Sequence, residues 1–401
     1  MRWGWSVVGC LVVTLGGTPP RCVDALPVPA LLLIDADSGA VLREEQADSA
    51  RPQGSLSQLM VLLLSLEEAD LRALPLDVPV TVSSTAGSGA LAPANVGASA
   101  GVRRSVTGGT APPSGMRIPL RTNREYLLSD LLKAIVVASA NDATIAVAEA
   151  IAGSVPACLE VMNARAQKLG MDATVYSSVG GITPPGVSAT DRTTARDLAR
   201  LAQALIRHPR ILQWAALSGI PFDQGVILLH NANQLLGKVP GVDGLQGSMA
   251  AATRAGAASY SIVATAQRGA LRLIAVVLDA ADSATRYASA ADLLEWGFSN
   301  YERLQIARKG EPLNIPIRIG NAAVAQFMPV AGESFSLLHR RDEEHELQAR
   351  YQLPALVFAP LRREQPVGEI IVEERGQLLA VVPLVSPAEI TSNGVLSAAL
   401  P

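Results

Sequence analysis

Cysteine is scarce in this sequence of 401 residues, which contains only three. Cys10 and Cys22 fall within residues 1–25, which have the features of a signal peptide: a basic start, an apolar run, and small residues before a predicted cleavage site after Ala25. Cleavage would leave Cys158 alone, which excludes an internal disulfide bond and is compatible with an oxidising compartment. An uncleaved segment would instead serve as an N-terminal anchor.

An excess of positive charge is also missing. The 33 lysine and arginine residues are outnumbered by 36 aspartate and glutamate residues, and without the signal peptide 31 bases face 35 acids, a net charge of −4. This balance gives no basis for binding nucleic acid. No later run reaches about 20 uninterrupted apolar residues, so we predict no transmembrane segment after the signal peptide and an exported, periplasmic or extracellular protein.

The length and a change in pattern indicate two domains. Residues 26–301 combine helical segments with hairpins at both ends, which predicts an α+β domain with helices packed on an antiparallel sheet. Inside it, residues 83–114 are mostly small residues and proline, which we interpret as a flexible insertion. Residues 302–390 contain short alternating runs that predict a small β domain, and residues 391–401 form a tail.

Ser55 is the candidate nucleophile. Pro52 and Gly54 interrupt the chain before it and a long apolar helix is predicted to follow, so its hydroxyl would lie at a partly positive helix N-terminus. Gln58 stands one turn later on the same face. A carboxamide can orient a hydroxyl, but it has no useful basicity with which to take the proton.

A second group of polar residues interrupts an apolar helical run. Ser139 and Asn141 follow a segment that begins at Ser129 and is predicted to be helical, and apolar residues resume at Ile145. Small polar side chains compete with the helix backbone for hydrogen bonds, so we predict a break between two helices here.

Several stretches resemble the serine D-alanyl-D-alanine carboxypeptidases, the low-molecular-mass penicillin-binding proteins, over nearly all of the chain after the signal peptide. They are Leu33–Leu42, Ser55-Leu56-Ser57 before Leu59-Met60, Ser139-Ala140-Asn141, Gly241–Leu245, Leu293–Phe298 and 366–385. The resemblance implies a penicillin-binding-protein/β-lactamase-like domain followed by an all-β domain. It also implies a place in maturation of the bacterial cell wall.

Both lysines of the family signatures are missing. Gln58 occupies the place of the lysine in Ser-x-x-Lys, and Gln246, Gly247 and Ser248 occupy the place of Lys-Thr-Gly, which the resemblance assigns to substrate binding. In the family, the first lysine takes the proton of the serine and the second supplies positive potential beside the substrate carboxylate. The resemblance therefore predicts the fold more firmly than the activity.

Other departures concern a loop and the possible replacements for the base. A histidine-glycine pair expected near residues 170–189 is Gly180-Gly181 here. Only four lysines occur in the chain, and Lys133 is the one closest in sequence to Ser139. Lys133 and His230 are the candidates for a relocated base, although a solvated or structural role is favoured for both because a base must come within hydrogen-bond reach of its proton.

The implied reaction is acyl transfer without a cofactor or a metal ion. Ser55 would attack the penultimate D-alanine carbonyl of a peptidoglycan stem peptide or the ring of a β-lactam, Ser139 would relay a proton, and Asn141 would hold the substrate amide. Three hypotheses follow: a catalytically impaired carboxypeptidase-like protein, an active enzyme with a relocated base, or a non-catalytic structural or interaction module of the cell envelope. Fold alone does not choose among them.

Overall fold

The structure is a computed structural model that describes residues 29–73, 75–88, 117–181, 191–250, 259–343 and 346–393, with only the backbone described at 88 and 247–250. The predicted signal peptide, most of the predicted insertion and the end of the tail lie outside the described residues. The insertion was predicted to begin at residue 83, and its first described part, Ser84–Ser88, is a short helix.

Nine strands and eight helices occur in the described part of the first 300 residues. The strands are β1 (Ala30–Asp35), β2 (Val41–Glu45), β3 (Pro79–Thr81), β4 (Glu125–Leu127), β5 (Gly219–Phe222), β6 (Ile227–His230), β7 (Val242–Ala250), β8 (Ser259–Arg268) and β9 (Leu271–Ala280). The helices are α1 (Gln58–Leu71), α2 (Ser84–Ser88), α3 (Leu128–Ala138), α4 (Asn141–Ala152), α5 (Val155–Lys168), α6 (Ala195–Ile206), α7 (Pro209–Ala215) and α8 (Ser283–Asn300), with a 3-10 turn at Gly54–Ser57 before α1.

The central sheet has five antiparallel strands in the order β2-β1-β9-β8-β7. β8 and β9 form the hairpin that their alternating apolar runs predict, and β7 is added at the edge through its pairing with β8. The predicted antiparallel sheet with packed helices is therefore confirmed. Two short two-stranded sheets, β3-β4 and β5-β6, lie outside it.

Both faces of the central sheet are covered, which explains why β8 and β9 are apolar along almost their whole length. On one face, the core joins α1, α3, α4 and α6 to strand residues such as Val263 and Val276. On the opposite face, α8 packs Leu293 and Leu294 against residues such as Ile262. Helix α1 is buried around most of its circumference, as its nearly unbroken apolar sequence predicts.

Two local predictions around the polar residues have different outcomes. The break between helices is confirmed, because α3 ends at Ala138 and α4 begins at Asn141. The prediction that a helix begins at Ser55 is wrong in detail: Ser55 lies inside the 3-10 turn, and the α-helix begins at Gln58. The tighter turn is a common way of ending or starting an α-helix.

The C-terminal part contains only strands among its described residues. They are β10 (Tyr301–Ala307), β11 (Ile317–Gly320), β12 (Gln326–Phe327), β13 (Val330–Ala331), β14 (Phe335–Arg340), β15 (Leu347–Gln352), β16 (Leu356–Phe358), β17 (Pro366–Glu374) and β18 (Gln377–Val385). They form sheets in the orders β10-β14, β12-β11-β16 and β13-β18-β17-β15. This arrangement confirms the predicted all-β character.

The two parts are joined by an ion pair with little solvent exposure. Arg303 of β10 contacts the carboxylate of Asp35 at the end of β1, and its Nε lies 3.3 Å from Asp37 Oδ2.

No single described helix is long and apolar enough to cross a membrane. Helices α4 and α5 together reach the required length and hydropathy, but they bend by 82° at their junction.

Candidate active site

Ser55 is held in a closely packed turn. In the same turn, the hydroxyl of Ser57 donates to the carbonyl of Val179 at 3.2 Å. This hydrogen bond ties the turn to the loop after α5. Gly181 lies against the same turn with φ +72°, and a Cβ atom there would come within 1.9 Å of the Gly54 carbonyl carbon. Only glycine fits this contact. Gly181 therefore packs directly against the backbone of the turn that contains Ser55.

Gln58 is the centre of a polar cluster. Its Nε2 donates to Asn141 Oδ1 at 2.7 Å and to the Ser139 carbonyl at 3.4 Å. Its Oε1 accepts from the Ser139 hydroxyl at 3.0 Å and from Gln246 Nε2 at 2.6 Å. Two N–H donors and two lone pairs are all that a carboxamide has, so Gln58 uses its full hydrogen-bonding capacity within the cluster.

The break between α3 and α4 brings Ser139 and Asn141 to Gln58. Ser139 follows α3 in the left-handed region at φ +54°, and its N–H closes the last turn by donating to the Ile135 carbonyl at 2.9 Å. This conformation is sparsely populated by residues other than glycine. It reverses the chain, so that Asn141 begins α4 two residues later with its side chain on the same site.

Gln246 comes from the edge strand of the sheet. It is opposite Val263 in the pairing of β7 with β8, and its side chain is 1% exposed. Besides the bond to Gln58, its Nε2 approaches the Ile135 carbonyl at 3.4 Å. Gly247 and Ser248 continue β7 opposite Ile262 and Ser261, where only their backbone is described.

The hydrogen bonds described above for this amide cluster (Gln58, Ser139, Asn141 and Gln246) join uncharged groups. The two candidates for a relocated base are engaged or placed elsewhere: Lys133 forms a 3.1 Å ion pair with Asp130 on α3, and His230 is exposed on β6. The described contacts therefore give no support to either residue as a proton acceptor for Ser55.

Asp142 is an ionisable residue that directly follows Asn141 in the chain. Asp142 is buried, and its Oδ1 accepts from the backbone N–H groups of Ile118 at 3.2 Å and Ala143 at 3.0 Å. Burial raises the pKa of Asp142 to about 6, and the backbone hydrogen bonds oppose this shift only in part. Asp142 holds the segment before β4 onto α4 and thereby supports Asn141.

Gly180 sets how closely the loop approaches Asn141. A Cβ atom at position 180 would lie 2.6 Å from Asn141 Oδ1, the atom that accepts from Gln58. The absence of a side chain at position 180 therefore leaves room for the Asn141 oxygen that accepts the hydrogen bond from Gln58. Sequence reasoning named both positions but did not connect them, because the contact spans distant parts of the chain.

The described residues offer no group of three or more histidine, cysteine, aspartate or glutamate side chains that could hold a metal ion. What the site provides is a serine beside a neutral cluster of amides and a hydroxyl. Such an arrangement can orient a peptide by hydrogen bonds, and its amides are not basic enough to take a serine proton.

Comparison with known proteins identifies the relatives of both parts. Residues 23–282 match the model of a family described as D-alanyl-D-alanine carboxypeptidase, and residues 301–392 match the C-terminal domain of penicillin-binding protein 5. The D-alanyl-D-alanine carboxypeptidase DacC of Escherichia coli is 31% identical over 91% of this chain and 84% of its own length. DacF of Bacillus subtilis is 25% identical over 91% of this chain and 86% of its own length.

Solved structures agree in fold. Penicillin-binding protein 5 of Haemophilus influenzae matches with a TM-score of 0.63 and 25% identity, covering 94% of this chain and 100% of that one. Penicillin-binding protein D2 of Listeria monocytogenes, solved with cefotaxime bound, matches with a TM-score of 0.53 and 30% identity over 67% of this chain and 96% of its own.

Proposed function

Because the chain belongs to the D-alanyl-D-alanine carboxypeptidase family, we propose that it is an exported carboxypeptidase-like protein of bacterial cell-wall maturation whose acyl-transfer activity is impaired or lost. The observation that carries this proposal is the saturation of Gln58. Where the family signature has a lysine, this chain has a neutral side chain whose donors and acceptors are all engaged by Ser139, Asn141 and Gln246.

The chemical consequence concerns the proton of Ser55. A serine hydroxyl attacks a carbonyl efficiently only when a neighbouring base removes its proton. A positioned general base contributes about 10²- to 10⁴-fold in rate, which corresponds to roughly 3 to 5 kcal/mol of activation free energy. Gln58 offers no basic lone pair, so Ser55 should keep its proton at neutral pH.

Loss of turnover does not imply loss of the binding groups. Ser55, Ser139 and Asn141 remain slightly exposed, at 7%, 8% and 5%, and the resemblance to the family assigns them to the nucleophile and the substrate contacts. We propose a stem peptide or a β-lactam as the ligand class, bound without efficient hydrolysis. We assign the catalytic-type region to residues 26–301 and the β domain to 302–390.

The direct test is release of D-alanine from a D-alanyl-D-alanine stem peptide by the purified protein after removal of residues 1–25. We expect release no faster than that of Ser55→Ala, which removes only the hydroxyl. Release that depends on Ser55 at a rate typical of enzymes, about 1 per second or faster, would establish an active enzyme with another base and overturn the proposal.

A further inference from the structure

The amide cluster leaves one donor and one acceptor unused among the described residues. Asn141 Oδ1 accepts from Gln58, but Asn141 Nδ2 has no hydrogen-bond partner. Gln246 Nε2 donates to Gln58 and Ile135, but Gln246 Oε1 has none. Both side chains are at least nine-tenths buried, so these two atoms are also shielded from water.

The orientation of each amide follows from its partners. Gln246 faces two oxygen acceptors, the Gln58 carbonyl oxygen and the Ile135 backbone carbonyl, so the atom between them must be its nitrogen. Gln58 Nε2 similarly faces Asn141 Oδ1 and the Ser139 carbonyl. Reversing Gln246 would set oxygen against oxygen at both contacts. The unused pair is therefore an N–H on Asn141 and a carbonyl oxygen on Gln246.

A carboxylate does not match this pair. It could accept from Asn141 Nδ2, but near neutral pH it has no proton to donate to Gln246 Oε1 and would set a negative oxygen against that carbonyl. The buried cation Arg286 provides no compensation, because it belongs to α8 on the other face of the sheet and bonds to the Ser261 carbonyl and to Tyr287. An anion without a nearby cation is costly to bury.

A neutral amide matches both atoms, because its carbonyl accepts and its N–H donates. Resting on the proposed function for this same site, we propose that the cluster selects a peptide presenting a neutral amide in place of a free C-terminal carboxylate. Two sources share this chemistry: a peptide that ends in a primary carboxamide and a peptide bond inside a longer chain. Gln246 is then the specificity-determining residue, because it offers a buried acceptor where an ammonium group would favour an anion.

The test compares three diacetyl-lysyl-D-alanyl-D-alanine ligands by calorimetry: the free acid, the primary carboxamide and the N-methylamide, which imitates an internal peptide bond. We expect each amide to bind at least roughly fivefold more tightly than the acid, the minimum effect of leaving a buried polar group unpaired. A primary carboxamide that binds better than the N-methylamide identifies a chain end as the source. The reverse order identifies an internal bond.

Two variants of Gln246 keep the inference falsifiable. Gln246→Lys should reverse the preference in favour of the acid, and Gln246→Leu, which adds no buried charge, should abolish the preference. Gln348→Lys, which adds the same charge on exposed strand β15, should leave the preference unchanged. Equal or tighter binding of the acid by the unaltered protein, or no binding of any ligand, would overturn the inference.

Turnover and ligand selection are measured separately. Release of D-alanine from the free acid, recorded on the same samples, reports turnover, whereas the order of the three affinities reports ligand selection. An active enzyme that prefers the acid fails both tests. An inactive protein that prefers the acid fails only this one.

Discussion

Gln246 Nε2 donates to Gln58 Oε1 across 2.6 Å, and this bond joins the edge strand of the sheet directly to the helix that follows Ser55. Two lysines at these positions would repel each other unless one gave up its proton or an anion lay between them. Two glutamines instead form a neutral hydrogen bond, which engages Gln246 Nε2 and leaves Gln246 Oε1 without a partner among the described residues. The contact between the edge strand and the helix is therefore made by neutral groups.

The first prediction concerns acylation by penicillin. The unaltered protein should react slowly or not at all, Gln58→Lys should raise the rate, and Gln246→Lys should raise it less, because only position 58 lies one helical turn from the Ser55 hydroxyl. Intact-mass measurement over time gives the rates, with Ser55→Ala as the control. Recovery should be partial, because misplacement by about 1 Å can cost roughly 10²-fold in rate.

Rapid, stoichiometric labelling of the unaltered protein at Ser55 would contradict this first prediction. A greater rate for Gln246→Lys than for Gln58→Lys would show that charge beside the ligand, and not the missing proton acceptor, limits acylation.

The second prediction compares two adjacent glycines. Gly181→Ala should prevent folding or cost more than about 3 kcal/mol, because Gly181 has φ +72° and its new Cβ would meet the backbone of Gly54 at 1.9 Å. Gly180→Ala should cost about 1 to 2 kcal/mol, because its Cβ meets only the movable side chain of Asn141, at 2.6 Å. Urea unfolding measures the free energy of unfolding of both variants. Equal losses of stability would contradict the different packing of the two glycines.

The third prediction concerns the pH dependence of stability. The pKa of Asp142 is raised to about 6 in the folded protein from an ordinary 3.8, so the folded state binds the proton more tightly than the unfolded state. Its contribution to the free energy of unfolding is therefore greatest below pH 3.8, falls between pH 3.8 and 6, and is constant above. The upper limit of the loss is about 3 kcal/mol.

Asp142→Asn tests this contribution because an amide oxygen can still accept from Ile118 and Ala143 without carrying charge. Urea unfolding at pH 5 and pH 7.5 should show a smaller decline in stability with rising pH for the variant than for the unaltered protein. The same decline in both proteins would show that Asp142 does not cause it.

The fourth prediction concerns the junction between the two parts of the chain. Arg303→Met removes the partner of Asp35, which is fully buried, and should destabilise the protein by roughly 3 to 5 kcal/mol because a buried carboxylate loses its compensating charge. Arg350→Met is the matched control, since Arg350 is 63% exposed in its pair with Glu373 and should cost at most about 1 kcal/mol. Thermal unfolding of both variants measures the difference.

Much of the fold follows from local patterns. The long apolar run after Ser55 predicts a buried helix from its length, and the alternating runs of β8 and β9 predict a hairpin because successive side chains of a strand point to opposite faces. The small elements α7, β5 and β6 were missed. They are only seven, four and four residues long, too short for a period to emerge, and packing against the body of the domain stabilises them.

The sequence by itself determined the resemblance to the family and the neutral side chains at positions 58 and 246, since residue identity needs no coordinates. Only the tertiary structure decided that Gln58 and Gln246, 188 residues apart, hydrogen-bond to each other. It also decided that the absence of a side chain at Gly180 leaves room for the Asn141 oxygen. The physical reason is that hydrogen-bond partners in a buried site are chosen by packing between distant segments, whereas sequence patterns report the conformation of each segment alone.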